Sequence, residues 1–258
     1  MMKEKELVVL LGPKKYLVEV GSRTLHTEYG MIDLSKLKRK KYGDILKTHT
    51  GQEFIVVKPN LVDILSKKAR RIPQVVLPRD AALILAYTGV PTNSLIVDVG
   101  SGSGFLCIFL AYYCSRGRVV TYERDPKFVK VTMKNIALTG LKNIKVKEKD
   151  ILTGIDEKNV DLITLDMKDA EKVVENAYKS LKPGGWLAVY SPHIEQVKLV
   201  VNEMKRHNFG EIRIIENILR EWQSKYDYTR PRSLGIMHTG WITLGRKVSL
   251  LNKEQKIE

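Results

Sequence analysis

The chain has 258 residues, enough for one large α/β domain or for such a domain carrying a small extra one. Lys and Arg outnumber Asp and Glu by 44 to 29, a net charge of +15, which a small-metabolite enzyme seldom needs and a phosphate-rich polymer attracts. Its two cysteines, Cys107 and Cys114, would stand about 10 Å apart along a helix, no Cys/His cluster has zinc spacing and no apolar run approaches membrane length, so a disulfide, a metal and a membrane span are not expected.

Met1-Met2-Lys3-Glu4-Lys5-Glu6 lacks a signal-peptide core, and a cytoplasmic location is expected. Apolar runs at 7–11 and 16–20 flank Gly12-Pro13-Lys14-Lys15, the pattern of a hairpin. Thr24-Leu25-His26-Thr27 leads to Gly30, and the apolar run Phe54-Ile55-Val56-Val57 closes a small β-rich region. Between them, residues 36–41 read as a basic loop, solvated or in contact with phosphate. A short amphipathic helix is predicted within 60–71, then an extended linker ending at Pro78, which opens an apolar helix. The expected domains are residues 1–71, β-rich and a candidate RNA contact, residues 72–248, and a polar tail, 249–258.

Leu95-Ile96-Val97-Asp98-Val99 is a buried-strand pattern that runs into Gly100-Ser101-Gly102-Ser103-Gly104-Phe105. Phe105 begins an apolar segment predicted as a helix to about Tyr113. Glycines at alternate positions let the backbone approach a ligand, and a helix start presents free N–H groups to it. Regular alternation follows: strands at 118–123, 144–148, 160–165 and 186–190, and helices at 126–138, 170–181 and 194–206. The turn Lys182-Pro183-Gly184-Gly185 precedes the fifth strand. Two strand-like stretches, 212–219 and 238–248, joined by a basic loop, complete a seven-stranded, mostly parallel, doubly wound sheet with an antiparallel edge.

In such a sheet ligands bind beyond the C-terminal strand ends, where Glu123, Asp150 and Asp166 fall. A carboxylate at Glu123 suits ribose hydroxyls, whether of NAD or of S-adenosylmethionine. The G-x-G-x-G spacing, in place of G-x-G-x-x-G, and the Lys-Pro-Gly-Gly turn weigh against the dinucleotide.

These motifs resemble those of class I S-adenosylmethionine-dependent methyltransferases: Asp98-Val99-Gly100-Ser101-Gly102-Ser103-Gly104, Glu123, Asp150 and Leu181-Lys182-Pro183-Gly184-Gly185. A nearer resemblance is to the tRNA adenine-N1 methyltransferases that modify T-loop adenine 58, in some archaea also 57. Pro73-Gln74-Val75-Val76-Leu77-Pro78-Arg79-Asp80-Ala81-Ala82, Leu165-Asp166-Met167, Arg230-Pro231-Arg232 and His238-Thr239-Gly240-Trp241-Ile242-Thr243 carry it. The resemblance implies that the 100–105 turn, Glu123, Asp150, Ile151 and Asp166 hold S-adenosylmethionine and that Asp166 is catalytic. It further implies that Gln74, Arg79, Arg230, Arg232 and His238 lie near tRNA, and that the enzyme is a homotetramer. The chain departs from the family in having Leu77 where Tyr or His is usual, and Met167-Lys168-Asp169 where Leu-Pro and a further Pro are usual. Both departures fall where the target base is expected. Two other readings remain: a methyltransferase of this fold acting on another RNA base, and a non-catalytic RNA-binding subunit.

Overall fold

The computed structural model describes residues 1–72, 75–225, 227–233 and 238–248; Gln74 and the tail from 249 lie outside them. The chain divides into two units, Met1–Arg70 and the part from Arg71 onward.

In the first unit β1 (Leu7–Leu11), β2 (Tyr16–Glu19), β5 (Ile45–Lys47) and β6 (Glu53–Val57) form an antiparallel sheet in the order β2-β1-β6-β5. β3 (Thr24–Thr27) and β4 (Gly30–Asp33) pair as a separate hairpin. Val8, Leu10, Ile32, Phe54 and Val56 are fully buried together. The basic stretch expected as a loop is instead largely a 3-10 helix, Leu34–Arg39. Its three-residue period sets Leu34 and Leu37 inward, and Asp33 caps it by accepting from the Ser35 N–H. Two lysines and an arginine had masked that two-leucine anchor. α1 (Leu61–Lys67) starts with a reciprocal capping box between Asn60 and Asp63.

The second unit contains the seven-stranded sheet. Its elements are α2 (Pro78–Thr88), β7 (Leu95–Val99), α3 (Phe105–Tyr113), β8 (Arg118–Glu123), α4 (Pro126–Thr139), β9 (Ile144–Glu148), β10 (Val160–Leu165), α5 (Val174–Ser180), β11 (Leu181–Ser191), α6 (Ile194–Arg206), β12 (Phe209–Glu216), β13 (Trp222–Lys225), β14 (Tyr228–Pro231) and β15 (Trp241–Lys247). The sheet order is β12-β15-β11-β10-β7-β8-β9. From β7 the chain steps outward through β8 and β9, then returns to add β10 on the other side of β7. The strand order therefore reverses between β7 and β10, and a crevice opens at their C-terminal ends. β7, β10 and the 185–189 stretch of β11 bury almost every residue, as strands covered on both faces do.

Three expectations change. The antiparallel strand is not the edge: β15 inserts between β11 and β12, antiparallel to both, so the edge strand β12 runs with the parallel set. The segment between the last two sheet strands is not only a loop, since β13 and β14 pair within it as a hairpin. The helix expected over 170–181 is a 3-10 turn, Ala170–Val173, followed by α5, and β11 already begins at Leu181. Leu181 pairs with Val160 and Trp186 with Leu162, so Lys182-Pro183-Gly184-Gly185 bulges out between the two pairings. A β-carbon on Gly185 would lie 2.8 Å from the Val160 carbonyl oxygen, which explains glycine at that strand crossing.

Candidate active site

The turn after β7 takes left-handed φ at each glycine: +87° at Gly100, +52° at Gly102 and +82° at Gly104. Its outer anchor is β8: the N–H groups of Gly100 and Ser101 donate to the Tyr122 carbonyl at 3.0 and 3.2 Å. Ser101 and Ser103 point inward. The Ser101 hydroxyl bonds Thr121 Oγ1 at 2.6 Å, and Ser103 Oγ accepts from the Ile72 N–H at 2.8 Å. From below, Thr132 Oγ1 donates to the Gly102 carbonyl and Asn135 Nδ2 to that of Ser103. Phe105 is buried as the first residue of α3. These bonds hold the loop in one conformation at the C-terminal end of β7.

Glu123, at the end of β8, accepts from the Gly102 N–H through Oε2 and from the Asp125 N–H through Oε1, both at 3.0 Å. Asp150 follows β9 and caps a 3-10 turn, its Oδ1 accepting from the Leu152 N–H at 2.9 Å. Arg124 Nη1 stands 3.9 Å from its Oδ2. Gly100, Glu123, Asp150 and Ile151 line one pocket of about 120 Å³, together with Val99, Tyr122, Leu152 and the segment Met167-Lys168-Asp169. Arg124 and Lys149 also line it; nothing in their sequence surroundings sets them apart from other surface cations.

Asp166 stands across the switch point. Its N–H donates to the Val99 carbonyl at 2.9 Å, continuing the β7–β10 ladder by one bond. A β-carbon on Gly100 would lie 2.2 Å from the Asp166 carbonyl oxygen, so only glycine lets the two strand ends meet. Burial, reinforced by the negative charge of Asp98, pushes the Asp166 carboxyl up to about 7. Tyr190 follows Val189, the register partner of Leu165, and therefore sits beside Asp166 at the end of β11. Its hydroxyl donates to the Thr239 carbonyl at 2.7 Å, and burial raises its pKa. Sequence reasoning took Tyr190 only as a strand residue; its place at a C-terminal strand end was the available signal.

The expected RNA-facing residues form two groups. Arg79 lies in the first turn of α2 beside the buried Asp80, which accepts from Asn217 Nδ2 at 3.0 Å and Thr239 Oγ1 at 2.9 Å. Those two bonds bring Arg79 near the approach to β15, where His238 Nδ1 bonds Glu216 Oε1 at 2.7 Å and its ring lies 4.3 Å from that of Trp241. Arg230 and Arg232 belong instead to the β13–β14 hairpin region. Arg230 lies over the Tyr228 ring, and Arg232 pairs with Glu221 at 3.0 Å.

The pocket's chemistry suits an adenosine: the Glu123 and Asp150 carboxylates for a diol and an amine, and apolar Val99, Ile151 and Leu152 for a base face. Replacing Glu123 by alanine removes the carboxylate at the end of β8 and with it the support of the Gly102 amide. The expected result is cofactor binding weakened by about 10- to 100-fold, worth roughly 1.5–3 kcal/mol for bonds to a charged group. Calorimetry of the variant with S-adenosylmethionine checks it, and an unchanged Kd contradicts it.

A model of the family described as tRNA methyltransferase complex GCD14 subunit matches residues 56–245. The TrmI of Methanocaldococcus jannaschii, named a tRNA (adenine(57)-N(1)/adenine(58)-N(1))-methyltransferase, is 34% identical over 261 residues, covering 90% of this chain and 91% of the relative. The TrmI of Thermus thermophilus, named for adenine 58 alone, is 28% identical across 86% of this chain and 88% of its own. Among solved structures, a SAM-dependent O-methyltransferase from Thermotoga maritima superposes with a TM-score of 0.91 at 30% identity, covering 98% of this chain and 96% of that one. The matched span takes in the glycine turn, the pocket, Asp166 and the approach to β15, and the chain belongs to the GCD14 family of tRNA methyltransferase complex subunits.

Proposed function

We propose that the protein is an enzyme that transfers the methyl group of S-adenosylmethionine to N1 of adenine 58 in the tRNA T-loop, and to adenine 57 where that base is an adenine. The observation that carries the reading is Asp166: a half-buried carboxylate at the switch point, against the glycine turn and beside the pocket lined by Glu123, Asp150 and Ile151. In the proposal the backbone of Gly100, Ser101, Gly102, Ser103, Gly104 and Phe105 cradles the cofactor. Glu123 takes its ribose, and Asp150 with Ile151 its adenine.

When bound, S-adenosylmethionine supplies an electrophilic methyl carbon on a sulfonium. Adenine N1 already has a lone pair, so attack needs no prior deprotonation. The N1–carbon bond forms as the carbon–sulfur bond breaks, the electron pair leaves with sulfur, and positive charge appears on the adenine ring. Asp166 accepts a hydrogen bond from the exocyclic amine, which aligns N1 for in-line attack and stabilises that charge in a poorly solvated place. It is also positioned to accept the amine proton afterwards.

The ionised carboxylate is the form that does this work. Because the folded-state value is about 7, activity rises with pH through that value and falls away below it. A kcat/KM profile with an acid limb near neutrality is expected; a profile flat down to the ordinary carboxylate range, about 4, contradicts the assignment.

A T-loop adenine is buried in folded tRNA, and exposing it costs a few kcal/mol that phosphate contacts across a basic surface can offset. Arg79, Arg230, Arg232 and His238 are proposed to contact the RNA, with the basic 3-10 helix of the first unit as a further contact. tRNA affinity is then expected to fall by at least about a thousandfold between roughly 50 and 200 mM salt, and a salt-insensitive Kd would oppose the reading. Exposed Ile214, Ile218 and Trp222, on and after the edge strand β12, support an assembled enzyme, proposed as a cytoplasmic homotetramer. Incubation with unmodified tRNA and labelled cofactor, followed by nucleoside analysis, tests the function: labelled 1-methyladenosine is expected, and label in another nucleoside overturns it.

A further inference from the structure

Asp98 is 1% exposed and lies in the middle of the sheet. It registers with Thr121 on β8 and with Thr164 on β10, and both hydroxyls donate to it: Thr121 to Oδ2 at 2.6 Å and Thr164 to Oδ1 at 2.7 Å. Thr121 passes the chain on to Ser101 of the glycine turn at 2.6 Å. A polar row thus crosses three adjacent strands directly beneath the crevice, where three valines would pack without desolvating a carboxylate. Thr164 lies two residues before Asp166 on the same strand.

Among the described residues, no cation figures among the groups that act on Asp98. The titratable neighbours are Glu123 at the end of β8, the Cys107 thiol on α3 and Asp166 at the end of β10. Burial raises the Asp98 carboxyl itself, and the bonds from Thr121 and Thr164 are what favour its ionised form against that burial. Asp166 in turn faces Tyr190 on β11. Burial and then the Asp98 charge push the Cys107 thiol well up, and the same two causes in the same order raise Asp166.

We propose that Asp98 is a positioning residue for methyl transfer, tying the glycine turn to the strand end that carries Asp166 and presenting a second negative charge behind it. The two carboxylates then act as a coupled pair: the charge at Asp98 keeps Asp166 a stronger acceptor toward an adenine that is becoming positive. This rests on the proposed role of Asp166. If the wild-type protein transfers no methyl to adenine, that role fails; if active variants keep the wild-type pH profile, only the coupling fails.

The test is the pH profile of kcat/KM in Asp98→Asn, an isostere that can donate to Thr121 and accept from Thr164. Its acid limb is expected to move down by about one pH unit, raising the fraction of plateau activity at pH 6 by about fivefold, with a lower plateau and a cofactor Kd within about threefold of wild type. Thr164→Val is the second variant. It removes a bond that favours charged Asp98 and should move the limb in the same direction. A limb that stays in place in either active variant overturns the proposal. So does a loss of cofactor binding in Asp98→Asn with no movement in Thr164→Val, since that pattern is purely structural.

Discussion

Asp166→Ala is expected to retain the fold and S-adenosylmethionine but to transfer methyl about 10²- to 10³-fold more slowly, the loss that follows removal of one well-placed electrostatic stabiliser. Fold and cofactor should survive because the bond joining this residue to β7 is made by its backbone N–H, which alanine keeps. The deficit should lie in kcat more than in the cofactor's KM, since in the proposed role the carboxylate meets charge that develops only as the methyl moves. Asp166→Asn, which still accepts from an amine but carries no charge, should fall between. Both variants should also lose the acid limb near 7, and Asp166→Asn should be the more stable protein at neutral pH. The sign follows from the raised folded-state value: from about pH 4 to 7 the folded state binds the proton that the unfolded state has released, so stability from this group falls as pH rises. Removing the ionisable group removes that fall. Wild-type rates in Asp166→Ala, measured by single-turnover methylation, would remove Asp166 from the mechanism.

Gly100→Ala is expected to be severely damaging to both the fold and the cofactor site. The added carbon would stand 2.2 Å from the Asp166 carbonyl oxygen, a backbone atom that cannot swing aside, at a residue with φ of +87°. Left-handed strain alone costs about 1–2 kcal/mol, and separating β7 from β10 adds the Asp166–Val99 bond and the pocket's geometry to the loss. We expect Tm to fall by about 10 °C, at roughly 2–4 °C per kcal/mol for a chain of this size, and cofactor binding to weaken by more than about 100-fold. Gly102→Ala is the internal control. Its added carbon would meet nothing nearer than the Gly100 carbonyl oxygen at 3.9 Å, so only the strain of φ +52° remains and a drop of a few degrees is expected. Equal effects at the two positions would show that conformational strain, and not the close approach of β10, makes Gly100 obligatory.

The parallel half of the sheet was readable because its strands are buried on both faces and its turns are marked by glycine. Leu95–Val99, Phe105–Tyr113 and Arg118–Glu123 have the bounds that their patterns predict. Position in the sheet was harder to read. That β15 lies beside β11 depends on pairings between distant residues, such as Ala188 with Leu244, and no local period records them. The basic segments misled for the opposite reason: Lys36, Lys38 and Arg39 hid the i, i+3 pair Leu34 and Leu37 that anchors a 3-10 helix.

The candidate site divides along the same line. Glu123, Asp150 and Asp166 were legible as acids at strand ends. The inward roles of the Ser101 and Ser103 hydroxyls were not, since a serine in a glycine turn reads equally well as a ligand contact. Nor was the bridge from Asp80 to Asn217 and Thr239, which spans 137 and 159 residues and ties the start of α2 to the last strands of the sheet. The turn after β7, proposed to hold the methyl donor, is thus a local feature, while the surroundings of Asp166, Tyr190 and Thr239 depend on long-range pairings.

The most direct measurement is methyl incorporation into a set of tRNA transcripts carrying single substitutions at positions 57 and 58, with the modified base located by primer extension. An arrest at 58 in the parent transcript, lost when adenine 58 becomes guanine and lost again with the Asp166→Ala enzyme, is the predicted result. Incorporation that persists with both adenines replaced, or that maps outside the T-loop, would contradict the account.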